Sequence, residues 1–149
     1  MTGISDISLI KRASQNQERR AIIAPEGIFT YKELLDASSK IASCLLNGEE
    51  DLREMRVVFL TPPGFQYVAI QWGIWRAGGV VVPLSVLFPR YELEYLIKNA
   101  DPAIVIAHAD FEAKLRPIAE EQAEDFCLQR QCLTQNLLLL RRSMRIAAQ

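Results

Sequence analysis

The chain is poor in the residues from which phosphate-binding loops and metal sites are built. Its seven glycines end at Gly79, and none belongs to a P-loop or a dinucleotide-binding fingerprint. Cys44, Cys127 and Cys132 lack the paired spacing of a zinc site, and only one histidine could join them. A net charge of -1 argues against a nucleic-acid-binding protein with a broad basic surface. We therefore expect free thiols, no bound metal ion and no nucleic-acid partner.

Targeting and membrane-spanning segments are also missing from the sequence. No charged-then-apolar leader opens it, and Pro83 and Pro89 interrupt its most apolar stretch well below spanning length. Unpaired cysteines are typical of a reducing compartment. These features predict a cytoplasmic protein without a transmembrane segment.

The composition changes abruptly near residue 126. All 18 acidic residues precede that point, whereas residues 126–149 carry four arginines and contain neither glycine nor proline. We therefore predict a partial α/β subdomain at 1–125 and a divergent tail at 126–149. A shifted reading frame and disorder are both open for the tail, and its composition alone would also allow a helix. We expect the tail to contribute little to the fold.

Hydrophobic periodicity predicts alternating strands and helices in residues 1–125. The best-marked element begins with Thr30-Tyr31-Lys32-Glu33, a capping box that predicts a helix over 31–47, which Gly48 ends. The remaining predictions are a helix at 6–15 with Asp6 as its cap, a hairpin at 21–30, strands at 56–60, 80–84 and 103–107, and helices at 65–77, 91–99 and 111–121. Such alternation is typical of an α/β fold with a layered parallel sheet and flanking helices.

Two motifs resemble functional sites but have simpler structural interpretations. Gly78-Gly79 follows a predicted helix and enters a strand, whereas a phosphate cradle requires the opposite order. We therefore predict that it ends the helix. His108 follows a buried strand, where α/β folds often place functional groups, with Asp110 near it in sequence. We favour Asp110 as the N-cap of the next helix over a catalytic pair.

Aromatic and acidic clusters also have structural interpretations. Tyr67, Trp72 and Trp75 could stack on a base or ligand ring, but no lysine or arginine is interleaved with them. We therefore predict core packing for these aromatic side chains. The acidic cluster at 49–51 is predicted to be a solvated loop.

Four segments occur in order along the chain: IFTYKEL at 28–34, GGVVVPL at 78–84, Pro89 followed by ELEY at 92–95, and AIVIA at 103–107. In this order and spacing they resemble the AMP-forming acyl-CoA synthetases of the adenylate-forming superfamily. Gln71, Trp72 and Trp75, together with Gly78-Gly79-Val80 and Val82-Pro83-Leu84, are most similar to the malonyl-CoA synthetase and related acyl-CoA synthetase branch of these AMP-dependent synthetases and ligases. The resemblance covers about residues 20–122.

This resemblance implies an N-terminal part of a two-step ligase. In that family a carboxylic acid reacts with ATP, assisted by Mg²⁺, to give an acyl-adenylate, and coenzyme A then displaces AMP. The family keeps its phosphate loop, its Y-G-x-T-E and T-G-D segments and its C-terminal lysine downstream, and this sequence contains none of them. We therefore carry over no catalytic, cofactor-binding or metal-binding residue, and expect no cofactor to bind this chain.

Three hypotheses follow for the function. The first is a truncated acid–CoA ligase, inactive alone, whose carboxylic acid substrate belongs to the full-length family. The second is a non-catalytic module that pairs with a complementary synthetase chain. The third is an unrelated small α/β binding protein.

Overall fold

Strands and helices alternate through the computed structural model, which describes residues 7–122, 126–129 and 137–142. The elements in chain order are α1 (Ser8–Ser14), β1 (Arg20–Ala24), β2 (Gly27–Thr30), α2 (Tyr31–Leu46), β3 (Arg56–Leu60), α3 (Phe65–Arg76), β4 (Val80–Leu84), α4 (Arg90–Ala100), β5 (Ile104–His108), α5 (Glu112–Gln122), β6 (Phe126–Gln129) and β7 (Leu137–Arg142). These residues form two units. The first contains the residues up to 55 together with 61–81, and the second contains 56–60 and the residues from 82 onward.

Helix α2 has the predicted capping box at its N-terminus. The Thr30 hydroxyl accepts a hydrogen bond from the Glu33 backbone N–H at 3.3 Å, and the Glu33 carboxylate accepts one from the Thr30 N–H at 2.7 Å. The other end differs slightly from the prediction. Asn47 is the left-handed cap, with a φ of 49°, and Gly48 follows it with a φ of 91°. Asparagine tolerates this conformation better than most residues because its short polar side chain can hydrogen-bond locally.

Helix α3 is buried on most of its sides, as its apolar sequence predicts. Its buried residues are Ala69, Ile70, Trp72, Gly73 and Ile74. Gly73 permits the close approach of α2, because a β-carbon there would lie 2.5 Å from Cγ2 of Ile41. The Arg76 guanidinium also joins the two helices, since it donates to the Leu35 carbonyl at 2.7 Å and to the Ser38 hydroxyl at 2.8 Å.

The sheet has the strand order β4-β3-β5-β7-β6. The three strands predicted to be neighbours, β4, β3 and β5, are adjacent and parallel, with Val57 of β3 opposite Ile104 of β5. In the second unit α4 and α5 supply the helical side of the core. Leu93, Ile97, Leu115 and Ile118 pack with strand residues that include Val58 and Val105. The predicted α/β class and the parallel sheet with flanking helices are confirmed.

Strand β7 extends the sheet with residues from the divergent tail. It pairs antiparallel with β5, so that His108 lies opposite Leu137 and Ile104 opposite Arg141, and β6 pairs antiparallel with β7. Leu137 and Leu139 are buried on one face of the strand. The helix that composition alone would allow is therefore wrong for residues 137–142. The unbroken leucine run suits an inner strand covered on both faces, and its partner is supplied by β5 rather than by local sequence.

The expectation that the tail contributes little to the fold is also wrong for Leu137–Arg142. These residues form the strand that lies between β5 and β6 in the sheet and pairs with both. The compositional boundary at residue 126, and the shifted reading frame that would explain it, stay predictions.

Smaller differences concern helix starts. Helix α1 begins at Ser8 with Ile7 in the cap position and no side-chain cap, and the predicted cap Asp6 lies outside the described residues.

The predicted hairpin is confirmed, with Ile23 opposite Ile28 across β1 and β2. No helix within the described residues is long and apolar enough to cross a membrane.

Candidate functional site

Gly78 and Gly79 end α3, as predicted, and their backbone N–H groups are used in doing so. The Gly78 N–H donates to the Trp75 carbonyl at 3.0 Å, and the Gly79 N–H donates to the Ile74 carbonyl at 2.9 Å. Gly78 has a φ of 81°, and a β-carbon there would collide with the Asp51 carboxylate. Both N–H groups therefore satisfy helix carbonyls, and neither is left to hold a phosphate.

The N-terminus of α3 is the second place where a phosphate could be expected, because helix N-termini bind anions. A carboxylate of the protein already occupies it. Glu26, in the turn of the β1–β2 hairpin, accepts a hydrogen bond from the Phe65 N–H at 2.7 Å. This bond holds the pKa of Glu26 below its usual value of 4.5. A β-carbon at Gly64 would collide with the same carboxylate, so glycine at 64 makes room for the cap.

No local sequence signal indicates the Glu26 cap. The two partners are 39 residues apart, and a glutamate in a hairpin turn is ordinarily solvated. The ring of Phe29 stacks on the ring of Phe65, with centroids 4.2 Å apart, and brings the hairpin onto the helix start. The contact therefore depends on tertiary packing that a local motif cannot encode.

His108 and Asp110 do lie together, but as a turn. The His108 Nδ1 atom accepts a hydrogen bond from the Asp110 backbone N–H at 3.2 Å and lies 3.5 Å from the Asp110 carboxylate. His108 thus caps the 3₁₀ turn at Ala109–Phe111, and the prediction that Asp110 is an N-cap is wrong. Asp110 lies inside that turn because the strand extends one residue further than predicted, to His108 itself.

The aromatic side chains divide between core and surface. Trp72 is buried and its ring lies 6.4 Å from that of Tyr31, which confirms core packing, and Tyr67 is half-buried. Trp75 is 38% exposed, so the prediction of core packing is wrong for this residue. It follows Ile74, which points into the core, and one helical step rotates the next side chain toward solvent.

Metal ligands and reactive thiols are sparse in the described residues. Within residues 7–122, 126–129 and 137–142, no three histidine, cysteine or acidic side chains lie close enough to hold a metal ion. Cys44 is a buried thiol that belongs to no disulfide, Cys132 lies outside the described residues, and only the backbone of Cys127 is described. The acidic cluster at 49–51 is exposed, as predicted, and Asp51 accepts a hydrogen bond from the Arg53 N–H at 2.7 Å.

Comparison with protein families gives the chain its identity. The model of the AMP-binding enzyme family matches residues 9–144. The chain belongs to this family. The match includes β7 and so continues past the compositional change at residue 126, and it removes the hypothesis of an unrelated small binding protein.

Relatives of the AMP-binding family place the chain near the malonate–CoA ligases. It is 38% identical over 113 residues to mitochondrial malonate–CoA ligase ACSF3 of Mus musculus, a match that covers 73% of this chain and 19% of the relative. The human protein of the same name is 36% identical over 114 residues, which cover 74% of this chain and 20% of the relative. The chain therefore spans about a fifth of the length of the curated relatives it matches.

Solved structures of the family share this fold. The complex of VinN with 3-methylaspartate is 31% identical, with a TM-score of 0.66 over 78% of this chain and 32% of VinN. Apo MatB from Rhodopseudomonas palustris is 25% identical, with a TM-score of 0.64 over 76% of this chain and 23% of MatB. The family resemblance on the four sequence segments is confirmed.

Proposed function

We propose that this chain is a structural part of an acid–CoA ligase of the malonate–CoA ligase branch and that it forms no acyl-adenylate by itself. The observation that carries the proposal is the family match over residues 9–144 on a chain that spans about a fifth of its relatives. The two places where these residues could bind phosphate, the glycine pair and the start of α3, both use their N–H groups internally.

The residues present do not fit Mg-ATP, which the family uses. Glu26 would repel a phosphate at the N-terminus of α3 and already accepts the Phe65 N–H. The described residues offer no group of three possible ligands for the metal ion. No chemical step is therefore assigned to them, and the groups for adenylation and thioester formation must come from ligase sequence beyond these 149 residues, in the same polypeptide or in a complementary chain.

Pyrophosphate exchange tests the proposal. The purified 149-residue chain is assayed with Mg-ATP and malonate, and with short, medium and long carboxylic acids. A full-length malonate–CoA ligase serves as the positive control. We expect exchange at background with the chain alone, and ATP-dependent turnover by the 149 residues would overturn the proposal.

A second arm of the assay tests the complementary chain. A malonate–CoA ligase that lacks the segment corresponding to residues 9–144 is mixed with the 149-residue chain. Recovery of exchange would show that the chain supplies scaffold in trans. Continued inactivity of the mixture would confine the scaffold role to ligases in which both parts are covalently joined.

We further propose a cytoplasmic location, on the basis of the predicted free thiols. The vertebrate relatives are named as mitochondrial proteins. Fractionation of cells that express the tagged chain distinguishes the two compartments.

A further inference from the structure

A cleft in the first unit is lined by residues of which only Tyr31 belongs to a motif considered above, the segment IFTYKEL. It has a volume of about 360 Å³ and is open to solvent on one side. Its lining comes from α1, from the turn that follows α1 and from the start of α2. The lining residues are Leu9, Arg12, Ala13, Asn16, Arg19 and Tyr31.

The charge of this cleft is entirely positive. Arg12 and Arg19 line it, and no acidic residue does. Within the described residues neither guanidinium forms an ion pair. A guanidinium that no described carboxylate pairs with can bind a carboxylate or a phosphate of a ligand bidentately.

Hydrogen bonds connect the backbone segments that carry the two arginines. The Asn16 side-chain amide donates to the Arg12 carbonyl at 2.9 Å, and the Asn16 carbonyl accepts the Arg19 N–H at 3.0 Å. The Arg19 carbonyl in turn accepts the Tyr31 N–H at 3.0 Å. Asn16 therefore ties the end of α1 to the residue that precedes the hairpin, and Tyr31 ties the same segment to α2.

The remaining wall of the cleft is apolar. Ala13 is buried, Leu9 is 45% exposed, and the Tyr31 ring stacks on the ring of Trp72 with centroids 6.4 Å apart. A small cleft with an apolar wall and a few convergent polar groups is the usual form of a small-molecule site. We propose that this cleft binds a small organic anion, with its carboxylate or phosphate on Arg12 and Arg19 and its apolar part against Leu9 and Tyr31.

The experiment uses the full 149-residue chain labelled with ¹⁵N and titrated with phenyl phosphate, benzoate, inorganic phosphate and the uncharged benzyl alcohol. We expect phenyl phosphate or benzoate to shift the amide signals of Ala13, Asn16 and Tyr31 in a saturable way. The comparison of these two probes identifies the preferred anionic group. Inorganic phosphate lacks the apolar group, and benzyl alcohol lacks the negative charge. We therefore expect each of them to bind about tenfold more weakly than the organic anion.

Matched variants locate the binding. Arg12→Gln and Arg19→Gln should each weaken binding of the organic anion by about tenfold or more, since each removes a charge-assisted contact. Arg20→Gln removes the same charge from the neighbouring residue, which does not line the cleft, and should change affinity by less than about twofold. Circular dichroism confirms that each variant is folded.

Three outcomes would overturn the proposal. They are no saturable shift with any probe, equal binding of inorganic phosphate and phenyl phosphate, and equal losses in the Arg20→Gln and Arg19→Gln variants. The first outcome would show that the cleft does not bind anions, and the second that its apolar wall does not contribute to affinity. The third would show that the effect comes from the overall surface charge and not from the cleft. None of them bears on ligase activity, so this proposal and the proposed function fail independently.

Discussion

Helix α2 and strand β7 are held in place by different kinds of contact. Helix α2 is stabilised by contacts within its own sequence. They are a capping box at Thr30, an ion pair between Lys32 and Asp36 in the first turns, and left-handed Asn47 at the C-terminal end. Strand β7 has no comparable local device. Its position is defined by hydrogen bonds to β5 on one side and β6 on the other. We therefore expect the loss of one local contact in α2 to lower the free energy of unfolding only modestly. Loss of the pairing of β7 should instead remove the whole strand from the sheet.

The largest effect should come from removing β7. Deletion of residues 126–149 exposes the edge of β5 and the core side chains that Leu137 and Leu139 cover. Because truncation of a single buried leucine costs about 2–5 kcal/mol, we expect the melting temperature to fall by roughly 10 °C or more. Thermal unfolding followed by circular dichroism measures the change.

A point variant separates β7 from the rest of the deleted residues. Leu139→Asp in the full chain places a charge at a fully buried strand position and should reproduce most of the loss. Leu87→Asp, at a residue that is 87% exposed, is the control and should have little effect. An unchanged melting temperature after the deletion would restore the interpretation of residues 126–149 as a tail outside the fold.

Removal of the α2 cap should have an intermediate effect. Thr30→Ala deletes the hydroxyl that accepts the Glu33 N–H, and loss of such a cap costs about 1 kcal/mol. Ser39→Ala removes a hydroxyl from an exposed position within the same helix and should be neutral or slightly stabilising. Urea denaturation of both variants gives the free energies of unfolding. Equal losses in the two variants would contradict the capping role.

The smallest effect, and the one that depends on pH, concerns Glu26. Its folded pKa is depressed by the Phe65 N–H, so the ionised carboxylate stabilises the fold above the unfolded value near 4.5. That contribution is lost as the pH falls through the lower folded pKa. Glu26→Gln should therefore lower the melting temperature slightly at pH 7, and this difference should shrink as the pH falls below 4.5. Glu50→Gln, in an exposed loop, is the control. A difference that stays constant as the pH is lowered would show that the charge of Glu26 is not what matters.

Sequence patterns predicted most of the elements in residues 7–122, because these begin or end at local signals. The capping box at Thr30, the hairpin turn and the glycine pair each determine the backbone within a few residues of themselves. The four family segments also identified the family. Strand β7 could not be placed in the same way, since a run of leucines suits a helix or a buried strand equally. Its partner β5 ends 29 residues before Leu137, so only the tertiary fold decides between them.

Contacts of single side chains were the least predictable part. The Glu26 cap joins residues far apart in sequence, and His108 caps a turn with its ring although Asp110 is the more usual capping residue. The cleft beside α1 combines residues from α1, from the turn after it and from α2, and apart from Tyr31 none of the six belongs to a recognisable motif. Such features depend on where the elements meet.

Strand β7 is synthesised after its sheet partner β5, and this order has a consequence for biosynthesis. At about 5–20 residues per second, the ribosome needs roughly 2–7 s to reach the end of β7 after it has completed β5. During that interval the apolar edge of β5 is open to any passing strand. Nascent chains paused between β5 and β7 should therefore be preferred substrates for ribosome-associated chaperones.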